Sequence, residues 1–183
     1  MKFGLVLSLD YEIFGNGEGS VKDHVIKPTN EILAICSKHN FKLTIMFEIG
    51  EYWAFKKAEK EGLLDYLDYS PATEIENQIK DLVSQGHDVQ LHLHPQWLGS
   101  RHENKVWILN HNQWRLSDFP LESDRPETFS VIDILRKGKE TLEEILQPVK
   151  SDYKCLAFRA GSWCLQPEKK IITAMKKLDF KID

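Results

Sequence analysis

Hydrophobic and polar positions along the chain form two patterns: short continuous apolar runs, and longer segments with apolar residues at helical spacing. The short runs predict buried strands, and the spaced segments predict amphipathic helices. Four strands are predicted in this way, at Phe3–Leu9, Lys42–Phe47, Asp88–Leu93 and Tyr153–Phe158. The predicted helices are Thr29–His39, Tyr52–Tyr66, Pro71–Gln85, Val131–Leu146 and Pro167–Leu178.

This alternation of strands and helices predicts an α/β fold with a parallel sheet, either open or closed into a barrel. The last residues, Phe180–Asp183, have the pattern of a fifth strand. A parallel strand pairs with neighbours that lie far away in sequence. We therefore expect residues 1–183 to be a single domain that continues beyond Asp183, rather than one that ends on an edge strand.

A long polar and aromatic segment, His94 to Pro126, interrupts the alternation after the third strand. Within it, Val106–Leu109 and Gln113–Leu116 flank an Asn-His-Asn sequence, which predicts a β-hairpin. Long insertions at the end of a core strand often form binding surfaces. The segment therefore predicts a substrate-facing loop region.

Composition and charge narrow the class of protein. The 183 residues are 42% hydrophobic and 28% charged, as in ordinary globular domains. With 24 basic and 28 acidic residues, the net charge of −4 disfavours a nucleic-acid partner. Three widely spaced cysteines form no disulfide or zinc pattern, and no segment has the features of a secretory signal or membrane span. These features predict a cytoplasmic protein with reduced thiols.

Polar side chains follow the predicted strands where catalytic groups gather in parallel α/β folds. They are Asp10 and Glu12, Glu48, His92 and His94, and Arg159. Carboxylate oxygens and imidazole nitrogens suit a divalent metal, with zinc as the first candidate. A free carboxylate beside it could act as a general base, with an arginine to orient it. Spacing and residue type therefore indicate a metal-assisted hydrolase.

Three segments resemble motifs of the polysaccharide deacetylase family, also called the NodB-homology or carbohydrate esterase family 4. Ser8–Glu12 (SLDYE) resembles its Thr-Phe-Asp-Asp motif, and Gly86–His92 (GHDVQLH) resembles Gly-His-x-Ile-x-x-His. Phe158–Gly161 (FRAG) is similar to its Arg-x-Pro motif. The resemblance implies a distorted (β/α) barrel whose last strands are absent from this chain. It also implies a divalent metal, an aspartate base and deacetylation of a sugar polymer.

The chain departs from the family pattern at two ligand positions. Tyr11 replaces the aspartate that binds metal in the first motif, although Glu12 shares a strand face with Asp10 and could substitute. Gln96 stands where the second metal histidine is expected, and His94 is the candidate replacement. The family's later motifs would lie beyond Asp183.

The predicted site therefore contains Asp10 and Arg159 as catalytic residues, with Asp10, Glu12, His92 and His94 as metal ligands. His87 is expected to be structural. Trp97, Trp114 and Trp163 are candidate sugar-binding residues, since indole stacks on sugar rings, although packing of the loops is the alternative.

Three functions stay open at this point. The first is a metal-dependent deacetylase-like hydrolase that acts on an N- or O-acetylated carbohydrate. The second is a non-catalytic carbohydrate-binding relative, which Tyr11 and Gln96 favour. The third is a different carbon–nitrogen hydrolase that acts on a small amide on the same barrel.

Overall fold

The computed structural model describes residues 4–125 and 128–181. The strands are β1 Leu7–Tyr11, β2 Leu43–Glu48, β3 Asp88–Leu93, β4 Arg101–Glu103, β5 Val106–Ile108 and β6 Phe158–Ala160. The helices are α1 Lys27–His39, α2 Ile49–Lys60, α3 Pro71–Ser84, α4 Val131–Leu146 and α5 Lys169–Lys177. A π-helical turn, Val21–Ile26, leads into α1, and short 3₁₀ turns lie at Pro95–Trp97, Leu116–Asp118 and Gly161–Trp163.

Four parallel strands form the main sheet in the order β1-β2-β3-β6. In this register Glu48 lies beside His92, and His92 lies beside Arg159. Residues that pair across parallel strands point to the same face, and alternate residues point to opposite faces. One face of the sheet therefore carries the polar side chains, and the other carries apolar side chains such as Phe47 and Leu91.

The apolar face is the core of the domain, where the sheet packs against the helices. The side chains of Phe47, Leu91 and Phe158 are completely buried there, as are Leu135 and Leu142 of α4. α4 is strongly amphipathic, with its buried residues three or four positions apart, as the sequence predicts. Burial of this face fixes the register of the sheet, because a slip of one residue would expose it.

The sheet is curled, so that its two terminal strands approach each other across the polar face. Arg159 on β6 donates Nη1 to Asp10 Oδ1 (2.5 Å) and Nη2 to Ser8 Oγ (2.6 Å), both on β1. This contact spans the mouth of a half-barrel of parallel strands. The predicted α/β class and parallel sheet are confirmed, whereas closure into a barrel stays a prediction.

Helix ends follow capping rules. Ser70 and Ser130 cap α3 and α4 by accepting hydrogen bonds from the amides of Thr73 and Asp133. Glu48 caps α2 in the same way, and its Oε1 accepts from the Gly50 amide (2.9 Å). Because of this cap, α2 begins at Ile49, directly after β2, and not at Tyr52 as predicted. It ends at Lys60, six residues before the predicted end.

The predicted hairpin is wrong in its pairing. Val106–Ile108 pairs with the preceding residues Arg101–Glu103, and not with Gln113–Leu116. The turn residues Asn104 and Lys105 have φ of 52° and 64°, which suits the two-residue turn of a right-twisted hairpin. Leu116, the last residue of the other predicted arm, is the first residue of a 3₁₀ turn.

Other predicted boundaries also shift. The fourth strand of the main sheet lies at Phe158–Ala160, and not at Tyr153–Phe158. Phe180 and Lys181 are not in a strand, although the Lys181 amide donates to the Leu156 carbonyl oxygen (2.7 Å). Phe3, Pro126, Ile182 and Asp183, which bound predicted segments, lie outside the described residues.

Cys36, Cys155 and Cys164 are buried free thiols. None of the helices within residues 4–125 and 128–181 has the length and apolar character needed to cross a membrane.

Candidate metal centre

The carboxyl ends of β1, β2 and β3 bring four metal-ligating side chains together. These are Glu12, Glu48, His92 and His94, and one ligand atom from each lies within 4.8 Å of the others. Two carboxylates and two imidazoles form the mixed oxygen and nitrogen set that zinc and similar divalent ions take. We call these four residues the Glu/His cluster.

His92 presents an unpaired nitrogen to this cluster. Its Nδ1 lies 2.9 Å from the carbonyl oxygen of Arg159, so that Nδ1 carries the proton and donates it. Its Nε2 is buried and has no hydrogen-bond partner among the described residues. Glu12 Oε2 lies 3.7 Å from this nitrogen. Because a lone pair and a carboxylate oxygen face each other, this arrangement fits a cation between them, with the backbone carbonyl orienting the ligand.

Glu48 is the most firmly held member of the cluster. Its side chain is fully buried, and Oε1 caps α2. Its Oε2 accepts a hydrogen bond from the His94 amide at 2.6 Å. A buried carboxylate that accepts two backbone N–H groups is fixed in position, because both bonds would be lost if it rotated. Glu48 is thus a preorganised oxygen ligand.

His94 lies between the two carboxylates. Its Nδ1 is 2.9 Å from Glu12 Oε2 and 3.0 Å from Glu48 Oε2. Burial lowers the pKa of His94, but the hydrogen bonds and charges of Glu12 and Glu48 outweigh burial and raise that pKa to about 10. The two carboxylates therefore hold a proton on Nδ1 of the His94 imidazole.

The other nitrogen of His94 is also engaged. The Ser162 amide donates to Nε2 at 3.1 Å, which favours a ring that carries its single proton on Nδ1. Ser162 and Trp163 both have positive φ, 55° and 52°, which is uncommon for residues other than glycine. Backbone strain of this kind is concentrated at functional sites. The Gly161–Trp163 turn is therefore held against His94.

Glu51 is a further carboxyl group beside the cluster. Burial raises its pKa well above the usual range, and the charge of Glu48 adds to this effect. The Ile13 amide donates to Glu51 Oε2 at 3.0 Å, which lowers the pKa without reversing the shift. Through this hydrogen bond, the Glu51 carboxyl group holds the backbone next to Glu12.

Asp10 and Arg159 form a pair outside the Glu/His cluster. Asp10 is not among the four clustered ligands, and its carboxylate is bound by the Arg159 guanidinium. Both side chains are more than a third exposed. Of the two roles predicted for Asp10, this geometry is compatible with the base that an arginine orients. The second carboxylate of the cluster is Glu48.

The three predicted sugar-binding tryptophans lie in different environments. Trp163 is 96% exposed and belongs to the turn against His94. Trp114 is 39% exposed and lies beneath the Arg115 guanidinium, whereas Trp97 is only 4% exposed and packs against Phe55 and Trp107. Trp163 is thus the one of these three best placed to contact a ligand at the cluster.

Two neighbouring polar residues have structural surroundings. His87 is buried, and its Nδ1 accepts from the Leu43 amide at 3.0 Å, as expected for a structural residue. Gln96 is buried in the 3₁₀ turn after His94, and its Oε1 has no hydrogen-bond partner among the residues described. Gln96 is not part of the Glu/His cluster.

Sequence reasoning placed Glu48 at the end of a strand but did not assign it as a metal ligand, and it missed Glu51. Glu48 carries a visible signal, because it directly follows an apolar strand as Glu12 does. Glu51 carries none, because it lies within α2 and reaches the site only when that helix folds back against Ile13.

Comparisons with known proteins give one similar fold. The sequence matches no protein-family model and no curated protein. Among solved structures, the fold is similar to that of a mutant of a CE4 family pseudoenzyme with restored enzymatic activity. The superposition has a TM-score of 0.47 at 14% sequence identity. It covers 97% of this chain and 42% of that chain, so this chain spans less than half the length of the structure that it matches.

Proposed function

We propose that this protein is a metal-dependent deacetylase-like hydrolase that acts on an N- or O-acetylated carbohydrate. The observation that carries the proposal is the buried, unpaired Nε2 of His92, which faces Glu12 Oε2 within a cluster of four ligand side chains. A buried acceptor without a partner costs about 1–3 kcal/mol. Such a cost is offset when a cation occupies the position between the two acceptors.

The ligands in this proposal are His92, Glu12 and Glu48, joined by His94 when its Nδ1 proton is displaced. A divalent cation supplies Lewis acidity, which polarises a carbonyl oxygen and makes water more acidic. Zinc is the first candidate, since it accepts both imidazole nitrogen and carboxylate oxygen. The protein's part is to hold these donors in place through the backbone contacts of Glu48 and His92.

Asp10 is the proposed proton acceptor. Its carboxylate takes the proton of the attacking water, and Arg159 fixes the orientation of that carboxylate through Oδ1. Ser8 holds the second nitrogen of the same guanidinium, so that the arginine has one defined position. The exposed indole of Trp163 supports a sugar ring beside the cluster, because C–H faces of sugars pack on aromatic rings.

The test measures bound zinc and acetate release from acetylated chitin fragments and acetylated xylan, with wild type, His92→Ala and His111→Ala. His111 is an exposed histidine away from the cluster and serves as the matched control. We expect wild type and His111→Ala to bind about one zinc and to release acetate, and His92→Ala to do neither. Folded wild-type protein that binds no divalent metal and releases no acetate would contradict the proposal.

The second candidate is a non-catalytic carbohydrate-binding protein. It is supported by the Ser162 amide, which occupies Nε2 of His94, and by Gln96, which is not part of the cluster. Glycan binding that survives chelation and Asp10→Asn, without acetate release, would favour this candidate. Binding that strictly requires the metal would exclude it.

A further inference from the structure

A cavity lies between α2 and α4, and none of its lining residues belongs to the Glu/His cluster. Its volume is about 630 Å³, within the range of about 300–1,000 Å³ that small-molecule sites have. One face of α2 and one face of α4 form its sides, and residues 97–100 contribute a further wall. We call this cavity the α2–α4 cleft.

The charges of the cleft are unbalanced. Among the described residues, Lys57, Arg125 and Lys137 line it, and Asp133 is the acidic lining residue. Lys57 Nζ lies 3.9 Å from Glu61 Oε1, so Lys57 already has an acidic neighbour. The Asp133 carboxylate is already bound by Arg136 (2.9 Å) and by Ser130. Within the described part of the chain, Lys137 has no carboxylate partner, and its Nζ lies 4.5 Å from the centre of the Trp53 ring. The cleft therefore presents positive charge, which favours an anionic ligand.

Hydroxyl side chains also line the cleft. Ser100 is one of the lining residues, although its Oγ is itself buried and has no hydrogen-bond partner among the described residues.

The remaining lining narrows the chemistry of that ligand. Trp53, Trp97 and Ile134 provide apolar surface, and Ser123 and Thr128 add hydroxyl groups to Ser100. Apolar faces combined with hydroxyls are complementary to a saccharide, which has C–H faces and hydroxyl groups of its own. We propose that the α2–α4 cleft binds a small saccharide that carries one anionic substituent, a carboxylate or a phosphate. This second site goes beyond the proposed hydrolase function, because it uses no residue of the Glu/His cluster.

The test is isothermal titration calorimetry on the protein with EDTA present, so that binding is independent of any metal. Glucuronate and glucose 6-phosphate distinguish the carboxylate from the phosphate, and glucose and benzoate are the neutral-sugar and non-sugar controls. We expect at least one of the two anionic sugars to bind at least about tenfold more tightly than both controls, because glucose lacks the charge-assisted contact and benzoate lacks the sugar hydroxyl groups.

Variants of residues that line the α2–α4 cleft test whether the anionic sugar binds there. Lys137→Gln removes a cation from an exposed helix position, and Ala54→Leu narrows the cleft without changing its charge. Each should weaken binding about tenfold or more, whereas Lys60→Gln, on α2 outside the cleft, and His92→Ala should leave it unchanged. The proposal is overturned if neither anionic sugar binds, if glucose or benzoate binds equally well, or if Lys137→Gln and Ala54→Leu have no effect. Loss of binding in His92→Ala alone would also overturn it.

Discussion

Arg159 connects the two terminal strands of the sheet through a single side chain. Its guanidinium donates to Asp10 and Ser8 at once, a fork geometry that the lysine ammonium does not reproduce. The pair is partly exposed, so its contribution to stability is small, about 0–1 kcal/mol. The main effect of the Arg159 guanidinium is to orient the Asp10 carboxylate.

We therefore predict that Arg159→Lys lowers acetate release by about 100-fold, while the free energy of unfolding changes by less than about 1 kcal/mol. Activity assays and urea denaturation provide the two measurements. Arg136→Lys, in the exposed pair with Asp133, is the control and should change neither quantity. An active Arg159→Lys variant would remove Asp10 from the role of an oriented base.

His87 gives a second prediction, on pH. Burial, together with the charge of Lys42, lowers the pKa of His87. The neutral imidazole accepts a hydrogen bond from the Leu43 amide at Nδ1. The unfolded chain, with a histidine pKa of about 6.5, takes up this proton more readily than the folded protein does. The stability that neutral His87 provides is thus complete above about pH 6.5 and is lost as the pH falls below that value.

Urea denaturation of His87→Ala between about pH 5 and about pH 8 tests this prediction. The variant should be less stable than wild type at the upper end of the range, and the difference should shrink toward the acidic end. His39→Ala, at an exposed position at the end of α1, should parallel wild type throughout. A His87→Ala difference that is constant with pH would show that this imidazole does not titrate on unfolding.

Among the elements, the turn after β6 is the most tightly constrained. A Cβ atom on Gly161 would lie 2.6 Å from the Leu93 carbonyl oxygen and 2.6 Å from Cδ2 of His94. The backbone oxygen cannot move without disturbing β3, so Gly161 allows the turn to approach the strand that carries both histidines.

Gly161→Ala should therefore destabilise the protein by about 1–3 kcal/mol and should weaken metal binding as His94 is displaced. The control is Gly15→Ala, because a Cβ at Gly15 meets no atom within 4 Å. That variant should stay within about 0.5 kcal/mol of wild type. Thermal or urea denaturation and zinc titration measure the two effects.

Helices and strands that bury a wide apolar face could be predicted from the sequence. Elements whose position depends on the conformation of a tight turn could be predicted less well. α4 and β3 have predicted bounds that match the structure, because a wide apolar stripe or run defines each. The hairpin was mispredicted because aromatic residues on both sides of Asn110 suggested a turn there. The actual turn at Asn104 depends on two left-handed residues, one of them Lys105, which has no turn preference in sequence.

At the scale of the whole molecule, the curled sheet explains which site residues could be predicted. Glu12, His92 and His94 follow apolar strands, so their convergence follows from a parallel sheet alone. The pairing of Glu48 with His94 and the approach of Glu51 depend on how α2 leaves β2. Neither contact follows from a repeating pattern of apolar residues, so the sequence does not indicate it.

The same architecture predicts that a divalent cation stabilises the whole fold, because its ligands come from three strands. A ligand that binds only the native state contributes about 2.7 kcal/mol at about 100 times its Kd. For a domain of this size, that corresponds to an increase in Tm of about 5–10 °C. Calorimetry with zinc should show this increase, and excess EDTA should reverse it.

His92→Ala should show no zinc-dependent change in Tm, and His111→Ala should behave as wild type. An equal increase in Tm for His92→Ala would place zinc elsewhere on the protein, for example at surface histidines. Either result is independent of whether the correct acetylated substrate has been found.

The hydrogen bond from the Ser162 amide to His94 has a thermodynamic consequence for this site. A neutral imidazole has one lone pair, so a cation bound at Nδ1 would require the ring proton to sit on Nε2, where two N–H groups would face each other and the hydrogen bond from Ser162 would be lost. Cation binding would then be coupled to release of the Gly161–Trp163 turn from His94. Coupling of this kind is reciprocal. A sugar that binds Trp163 and favours the released turn must tighten cation binding by the same factor, so that substrate would help to load the ion.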